Sequence, residues 1–312
     1  MQAFGKVIAK IVVTADADRY TRAKREMNLL KMFHKHKRIC NIMHGASQDA
    51  VNGISARCVS ILQCHEHGTV ETLLKSGNPK FTHRSNDAAT PCLRFECTLT
   101  MAKDVLEGLE CIHQMNIVHR DIKPANICIE FSESSGQLHF VIIDFGAAVG
   151  IKSQSIAPLD AVTGFGFTGM YTDLEGTQLP LGTVLFMSPE HIDRYKTVDG
   201  RTDIFSLGVT MYLCMSGRFP FLQPNPLFDN QRLAYELIQK YANPLAEAAP
   251  LTLRSTTAHR RAQKEVCAVV AKSLRKPAGE RFQSATAMKK RLESVSRCWG
   301  VVYFDTRTDL RV

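Results

Sequence analysis

Between two apolar flanks, the stretch IVHRDIKPANICIE (residues 117–130) sets His119, Arg120, Asp121, Lys123 and Asn126 within eight positions. A packed core segment does not tolerate that density of polar groups, because each one taken from water must find a partner. A loop at the rim of a cleft can present them instead. Asp121 could accept the proton of a hydroxyl, and Lys123 could neutralise a transferring anionic group. Asn126 offers a carbonyl oxygen suited to a hard cation such as Mg²⁺. Asp144, eighteen residues further on, follows Val141-Ile142-Ile143 and precedes Phe145-Gly146. A carboxylate directly after a buried strand is costly unless it is paired or coordinates a cation. As a set, Asp121, Lys123, Asn126 and Asp144 could support Mg²⁺-assisted phosphoryl transfer, in which positioning and charge neutralisation do most of the catalytic work. Taken singly, Asn126 reads as a turn residue, Asp144 as a strand-end cap, and His119 as a satisfied core histidine rather than a catalyst.

These residues need elements to position them. The β-branched run KVIAKIVV (6–13) predicts a strand, and DRYTRAKREMNLLKMFHKH (18–36) an amphipathic helix with Met27, Leu30 and Phe33 on its apolar face. ARCVSILQC (56–64) predicts a second strand, and SGNPKFTHRSNDAATPCLR (76–94) a loop. FECTLTMAKDVLEGLECIHQM (95–115) predicts a helix with Met101, Val105, Leu106, Leu109 and Ile112 on one face. A hairpin turning at SESSGQ (132–137) then leads to a strand over 138–146. Residues 150–183 lack periodicity and read as a long functional loop. Helices follow at 203–217, 230–242, 259–274 and 284–295. Strands come early and helices late, which implies a small β-rich part against a large helical one.

Composition narrows the class. With 312 residues, 45% hydrophobic and 22% charged, the chain reads as a soluble globular protein of one large domain or two packed lobes. It has no apolar run long enough to predict a membrane span. The ten cysteines are scattered and form no CxxC pair, which favours a reducing compartment, cytosolic or nuclear. CHEHG (64–68) lacks a partner cluster at metal-ligand spacing, and HKHKR (34–38) reads as solvated loop. The net charge of +9 is spread along the chain with no nucleic-acid module, so nucleic acid is not an expected partner.

HRDIKPAN followed by DFG resembles the catalytic and magnesium-binding loops of eukaryotic-type protein kinases. The resemblance runs along nearly the whole chain in family order. GTVLFMSPE (182–190) resembles the substrate-docking segment and Ala-Pro-Glu motif, with Ser188 replacing Ala. RTDIFSLGVTMY (201–212) resembles the central helix of the large lobe, where Asp203 would brace the catalytic loop. KPAGERF (276–282) resembles the late element whose arginine, here Arg281, pairs with Glu190. VSILQCHEHGTVETLL (59–74) is similar to the strand, hinge and helix that hold adenine. The resemblance implies an α+β, bilobal protein-kinase-like fold. It implies a small lobe over 1–63, a hinge at 64–67, a large lobe over 68–298 and a tail at 299–312. ATP and Mg²⁺ are the implied cofactors. Asp121 is the implied base, Lys123 contacts the γ-phosphate, and Asn126 and Asp144 hold Mg²⁺. Leu62 is the implied gatekeeper, with the backbone of Gln63 and His65 on the adenine edge; Val7, Ala9, Lys10 and Cys128 complete the implied nucleotide pocket. Lys123 and Thr183 fit the serine/threonine pattern, so the implied substrate is a protein Ser/Thr hydroxyl. Arg120 beside the base implies an upstream activating kinase acting on Thr168, Thr172 or Thr177, with the last two nearest the usual site.

Two features depart from the family. The small lobe is short and lacks the glycine-rich GxGxxG loop, of which FGKV (4–7) is at most a remnant. The strand lysine that pairs with Glu26 is Lys10 or Lys6, and the β-branched context favours Lys10. Two functions remain open: an active serine/threonine kinase, or a pseudokinase or scaffold that uses the fold for binding. The retained base and metal ligands favour the first.

Overall fold

The computed structural model describes residues 6–51, 55–84, 91–132, 137–151, 183–192, 198–223, 230–243, 247–249, 251 and 260–298. Strand β1 (Val7–Thr14) forms from the β-branched run VIAKIVVT. Helix α1 (Ala17–Met32) begins where the Asp16 carboxylate accepts the N–H groups of Asp18 and Arg19, an N-cap that satisfies orphan donors of the first turn. It stops four residues short of the helix expected over 18–36. Phe33 closes its last turn, and Lys35 takes a φ of 70°, a left-handed backbone that a helix cannot continue.

Strands β2 (Ile42–Gln48) and β3 (Ala56–Gln63) complete an antiparallel sheet of order β1-β3-β2. The sequence IMHGASQ gave no sign of β2, because polar residues and Gly45 interrupt its apolar pattern. Lys10 pairs with Ser60 and Ile8 with Leu62, so these residues share one face, on which Ala56, Cys58 and Ser60 are buried. Helix α1 packs on this face, with Met27 Sδ 3.9 Å from Cys58 Sγ. The opposite face carries Val7, Ile11 and Val13, exposed by 47%, 61% and 53%, and β1 forms the edge of the sheet among the described residues.

The chain then enters helix α2 (Val70–Ser76), opened by a capping box between Thr69 and Thr72. The loop expected over 76–94 contains a short antiparallel pair, β4 (Thr82–His83) with β5 (Cys92–Leu93). Helix α3 (Phe95–Gln114) buries Met101, Val105, Leu106, Leu109 and Ile112 completely, the stripe its sequence marks out. Strand β6 (Ile117–Val118), the loop to Lys123 and a 3₁₀ turn at Pro124–Asn126 lead into the hairpin of β7 (Ile127–Ser132) and β8 (Gln137–Ile142). The strand expected over 138–146 ends at Ile142, since Asp144 has a φ of 65°. Strand β9 (Val149–Gly150) pairs back onto β6.

Residues 152–182, with Thr168, Thr172 and Thr177, lie outside the described residues, as does the expected tail over 299–312. The rest is helical: α4 (Pro189–Ile192), α5 (Gly200–Ser216), α6 (Asn230–Ala242), α7 (Arg260–Ser273) and α8 (Ala285–Cys298). Helix α5 is buried along nearly its whole length and forms the central post of the helical part. A Cβ on its Gly208 would lie 2.5 Å from Ser273 Oγ, so only glycine allows α7 to approach this closely. No helix among the described residues is long and apolar enough to cross a membrane.

Candidate active site

The loop between β6 and β7 is built around Asp203, which α5 holds fully buried. Its carboxylate accepts the backbone N–H groups of His119 at 2.9 Å and Arg120 at 2.8 Å, and lies 2.8 Å from His113 Nε2. Burial works against its ionised form, but these donors outweigh it and hold the Asp203 carboxyl below the usual range. Arg120 takes a φ of 65°, and its Nε donates to the Ala147 carbonyl at 2.8 Å. A non-glycine residue in this region carries local strain that the surrounding contacts must hold. His119 is fully buried, with its ring 4.9 Å from that of Phe145 and Nε2 3.3 Å from the Ile143 carbonyl. It is the core histidine its sequence context suggests.

The same loop carries Asp121. Asp121 Oδ2 accepts from Lys123 Nζ at 2.8 Å and from Asn126 Nδ2 at 2.7 Å. Asn126 Nδ2 also reaches the Asp121 carbonyl at 3.0 Å, and Lys123 Nζ reaches Thr183 Oγ1 at 3.1 Å. Burial raises the Asp121 pKa, opposed by the Lys123 ammonium. The Asp121 carboxyl therefore titrates above the usual aspartate range and is oriented by two donors.

Asp144 faces this group from the end of β8. The Ile143 N–H bonds to the Asn126 carbonyl at 3.0 Å, tying the two segments together. Asp144 Oδ1 accepts from the Gly146 N–H at 3.1 Å and lies 3.7 Å from Lys10 Nζ. Lys10 Nζ also donates to both oxygens of Glu26 at 2.8 Å. Lys6 instead lies 3.4 Å from Glu66 at an exposed position, so Lys10 is the lysine that meets Glu26. Burial would lower the Lys10 pKa, but Glu26 and Asp144 raise it. Burial would raise that of Asp144, but the Lys10 charge and the Gly146 N–H lower it. For Glu26, burial prevails over Lys10 and the carboxyl titrates above its usual range.

The strand and turn residues expected around a nucleotide divide into two groups. Leu62 lies on the Lys10 face of the sheet, and His65 sits in a turn closed by the Gly68 N–H to its carbonyl at 3.2 Å. The Gln63 side chain donates to Glu130 Oε1 at 3.0 Å, turned toward β7. Cys128 is buried on β7, with its thiol pushed up to about 11 by burial. Val7 and Ala9 need correction. Side chains alternate along a strand, so both fall on the face opposite Lys10, and Ile8 takes the place beside it. Phe33, placed by sequence on the apolar face of α1, packs its ring 5.4 Å from that of Phe145 beside Asp144, a contact that no motif announces. Its apolar type at the end of α1 was the available signal.

Away from the cleft, Arg281 donates to both oxygens of Glu190 at 2.6 and 2.8 Å. This is the pairing expected from KPAGERF and SPE. A proton acceptor, an oriented ammonium and two oxygen-bearing side chains thus converge beside a Lys–Glu pair from the sheet and α1. Residues 3–292 match the family model for the protein kinase domain.

The chain belongs to the protein kinase family.

The probable serine/threonine-protein kinase PknB of Corynebacterium glutamicum is 30% identical over 62% of this chain and 25% of its own length. Serine/threonine-protein kinase PksC of Streptomyces coelicolor is 34% identical over 61% of this chain and 28% of its own length. Serine/threonine-protein kinase PknB of Mycobacterium tuberculosis is 30% identical over 62% of this chain and 25% of its own length. The matched part is therefore about a quarter of these relatives.

The family uses ATP with Mg²⁺, and the residues here suit that cation. Mg²⁺ is held through one or two protein oxygens, with phosphates and water completing its shell. Asn126 commits its Nδ2 to Asp121, which leaves Oδ1 uncommitted among the described residues. Asp144 stays ionised in the field of Lys10. Both donors are hard oxygens, and the Ile143–Asn126 bond fixes them to one another.

Proposed function

We propose that this chain is a serine/threonine protein kinase, transferring the ATP γ-phosphate to a protein hydroxyl. The observation that carries this reading is the convergence at Asp121. Its Oδ2 is held by Lys123 and Asn126, while Lys10 spans Glu26 and Asp144. Asp121 accepts the substrate hydroxyl proton at its carboxylate. Lys123 neutralises charge on the transferring group and, through Thr183, meets the segment over which the acceptor is expected to dock. Asn126 and Asp144 hold Mg²⁺, which when bound neutralises charge on the phosphates. Lys10, kept in place by Glu26, would bind the phosphates, and Leu62, Ile8 and Cys128 would line the adenine site.

The division into a small lobe to residue 63, a hinge at 64–67 and a large lobe to 298 follows the same reading. So does activation by a second kinase at Thr172 or Thr177 through Arg120. The free cysteines from Cys40 to Cys267 suit a reducing, cytosolic setting. The second reading is a pseudokinase or scaffold that uses the same fold for binding.

Incubation with γ-labelled MgATP and a mixed protein substrate separates the two. The kinase reading expects label on Ser and Thr, lost on adding EDTA and in Asp144→Ala. A thermal shift with MgATP but no label on protein would leave the scaffold.

A further inference from the structure

The segment linking α1 to β2 reads in the sequence as a solvated basic loop, yet Arg38 within it is buried. Its Nη2 lies 3.0 Å from Asp104 Oδ1, and its Nε donates to Glu107 Oε2 at 3.1 Å. Both carboxylates stand on α3 at positions three apart, hence on one face. Asp104 Oδ2 also accepts the Phe140 N–H of β8 at 2.9 Å, and Glu107 Oε1 lies 3.0 Å from Lys37 Nζ. The backbone of the same segment is joined to the end of β8. Ile142 N donates to the Arg38 carbonyl at 2.9 Å, and Cys40 N to the Ile142 carbonyl at 2.8 Å. A Cβ on Gly108 of α3 would lie 3.1 Å from the Arg38 carbonyl oxygen, so helix and segment meet at close range.

This stretch therefore fastens the end of α1, which carries Glu26, to the strand end that carries Asp144 two residues beyond Ile142. Lys10 can span Glu26 and Asp144, at 2.8 and 3.7 Å, only while those two elements keep their relative position. A buried ion cluster adds little net stability over well-packed apolar residues of the same volume. What a planar guanidinium gripping two carboxylates adds is directional constraint.

We propose that Arg38 is a positioning residue: clamped by Asp104 and Glu107, it fixes α1 relative to Asp144 and so holds Lys10 and Glu26 in working geometry. The kinetic part of this inference rests on the kinase reading. Misplacement by about 1 Å costs on the order of 10²-fold in rate. Arg38→Met is thus expected to lower kcat about 10- to 100-fold with the peptide KM unchanged. Arg38→Lys, which retains the charge but not the fork, should recover part of the loss. In a Glu26→Gln background, where the Lys10 pair is already weakened, Arg38→Met should add little.

Multiplicative losses in the double variant would overturn the proposal, as would a rise in peptide KM that accounts for the whole effect. Amide hydrogen exchange provides an arm independent of activity. In Arg38→Met, and more mildly in Glu107→Gln, the amides of α1 should exchange about tenfold faster while those of α5 keep their protection. Equal protection of α1 in all variants, or faster exchange throughout the molecule, would also overturn it. A wild-type chain that transfers no phosphate would defeat the kinase reading and leave the exchange result to decide on Arg38.

Discussion

Asp121 is half-buried, which raises its pKa, and hydrogen-bonded, which orients it; both bear on measurable behaviour. A carboxylate that must be ionised to accept a proton gives a rate that falls as pH drops through its pKa. Burial places that pKa above the ordinary aspartate value of 3.8, so the acid limb of kcat should sit higher than for a free aspartate. Lys123→Met removes the charge that opposes the shift and should move the limb further up. A limb that stays in place would take Asp121 out of the titration. Glu190 behaves oppositely, because Arg281 outweighs its burial and depresses its pKa below 4.5. Its pairing contributes stability that is complete above pH 4.5 and is lost as pH falls through the depressed folded value. The Tm gap between wild type and Glu190→Gln should therefore be full at neutral pH and shrink under acid. A gap independent of pH would mean that the ion pair is not its source.

Among the elements, the Glu190–Arg281 pair joins the short helix α4 to the turn before α8. The Arg281 side chain is fully buried, with its guanidinium carbon 4.8 Å from the centroid of the Phe205 ring on α5. Replacing it by Met strands a buried carboxylate, and breaking such a pair costs about 3–5 kcal/mol. Chemical denaturation of Arg281→Met should show that loss. A change below about 1 kcal/mol, typical of exposed pairs, would place the pair outside the packed core. Strand β1 offers a test of facing. Ile8→Lys puts a second cation beside Lys10 and should weaken the MgATP thermal shift, whereas Ala9→Lys, on the opposite face, should leave it nearly unchanged. The reverse result would restore Ala9 to the pocket. Helices were legible because stripes such as Met101, Val105, Leu109 and Ile112 keep helical spacing over several turns. Strand β2 was not, because its pairing depends on β3 rather than on its own pattern. Nor was the inward turn of Arg38 legible: its carboxylate partners Asp104 and Glu107 stand far along the chain on α3, and no local signal announces them.

For the molecule as a whole, HRDIKPAN and DFG were readable as a set because the chemistry fixes both residue types and spacing. What the motifs could not give was the frame: how Asp203 bends the loop, or which side of β1 faces the cleft. In the assembled frame the Lys10–Glu26 pair and the Asp121 cluster are both in place. The most direct test is transfer of labelled phosphate from MgATP to Ser/Thr of a basic protein by this 312-residue chain and by its Asp121→Asn variant. Transfer by the wild type is expected, reduced about 10²- to 10⁴-fold in Asp121→Asn with unchanged melting; equal rates for the two, or no transfer by either, would contradict it.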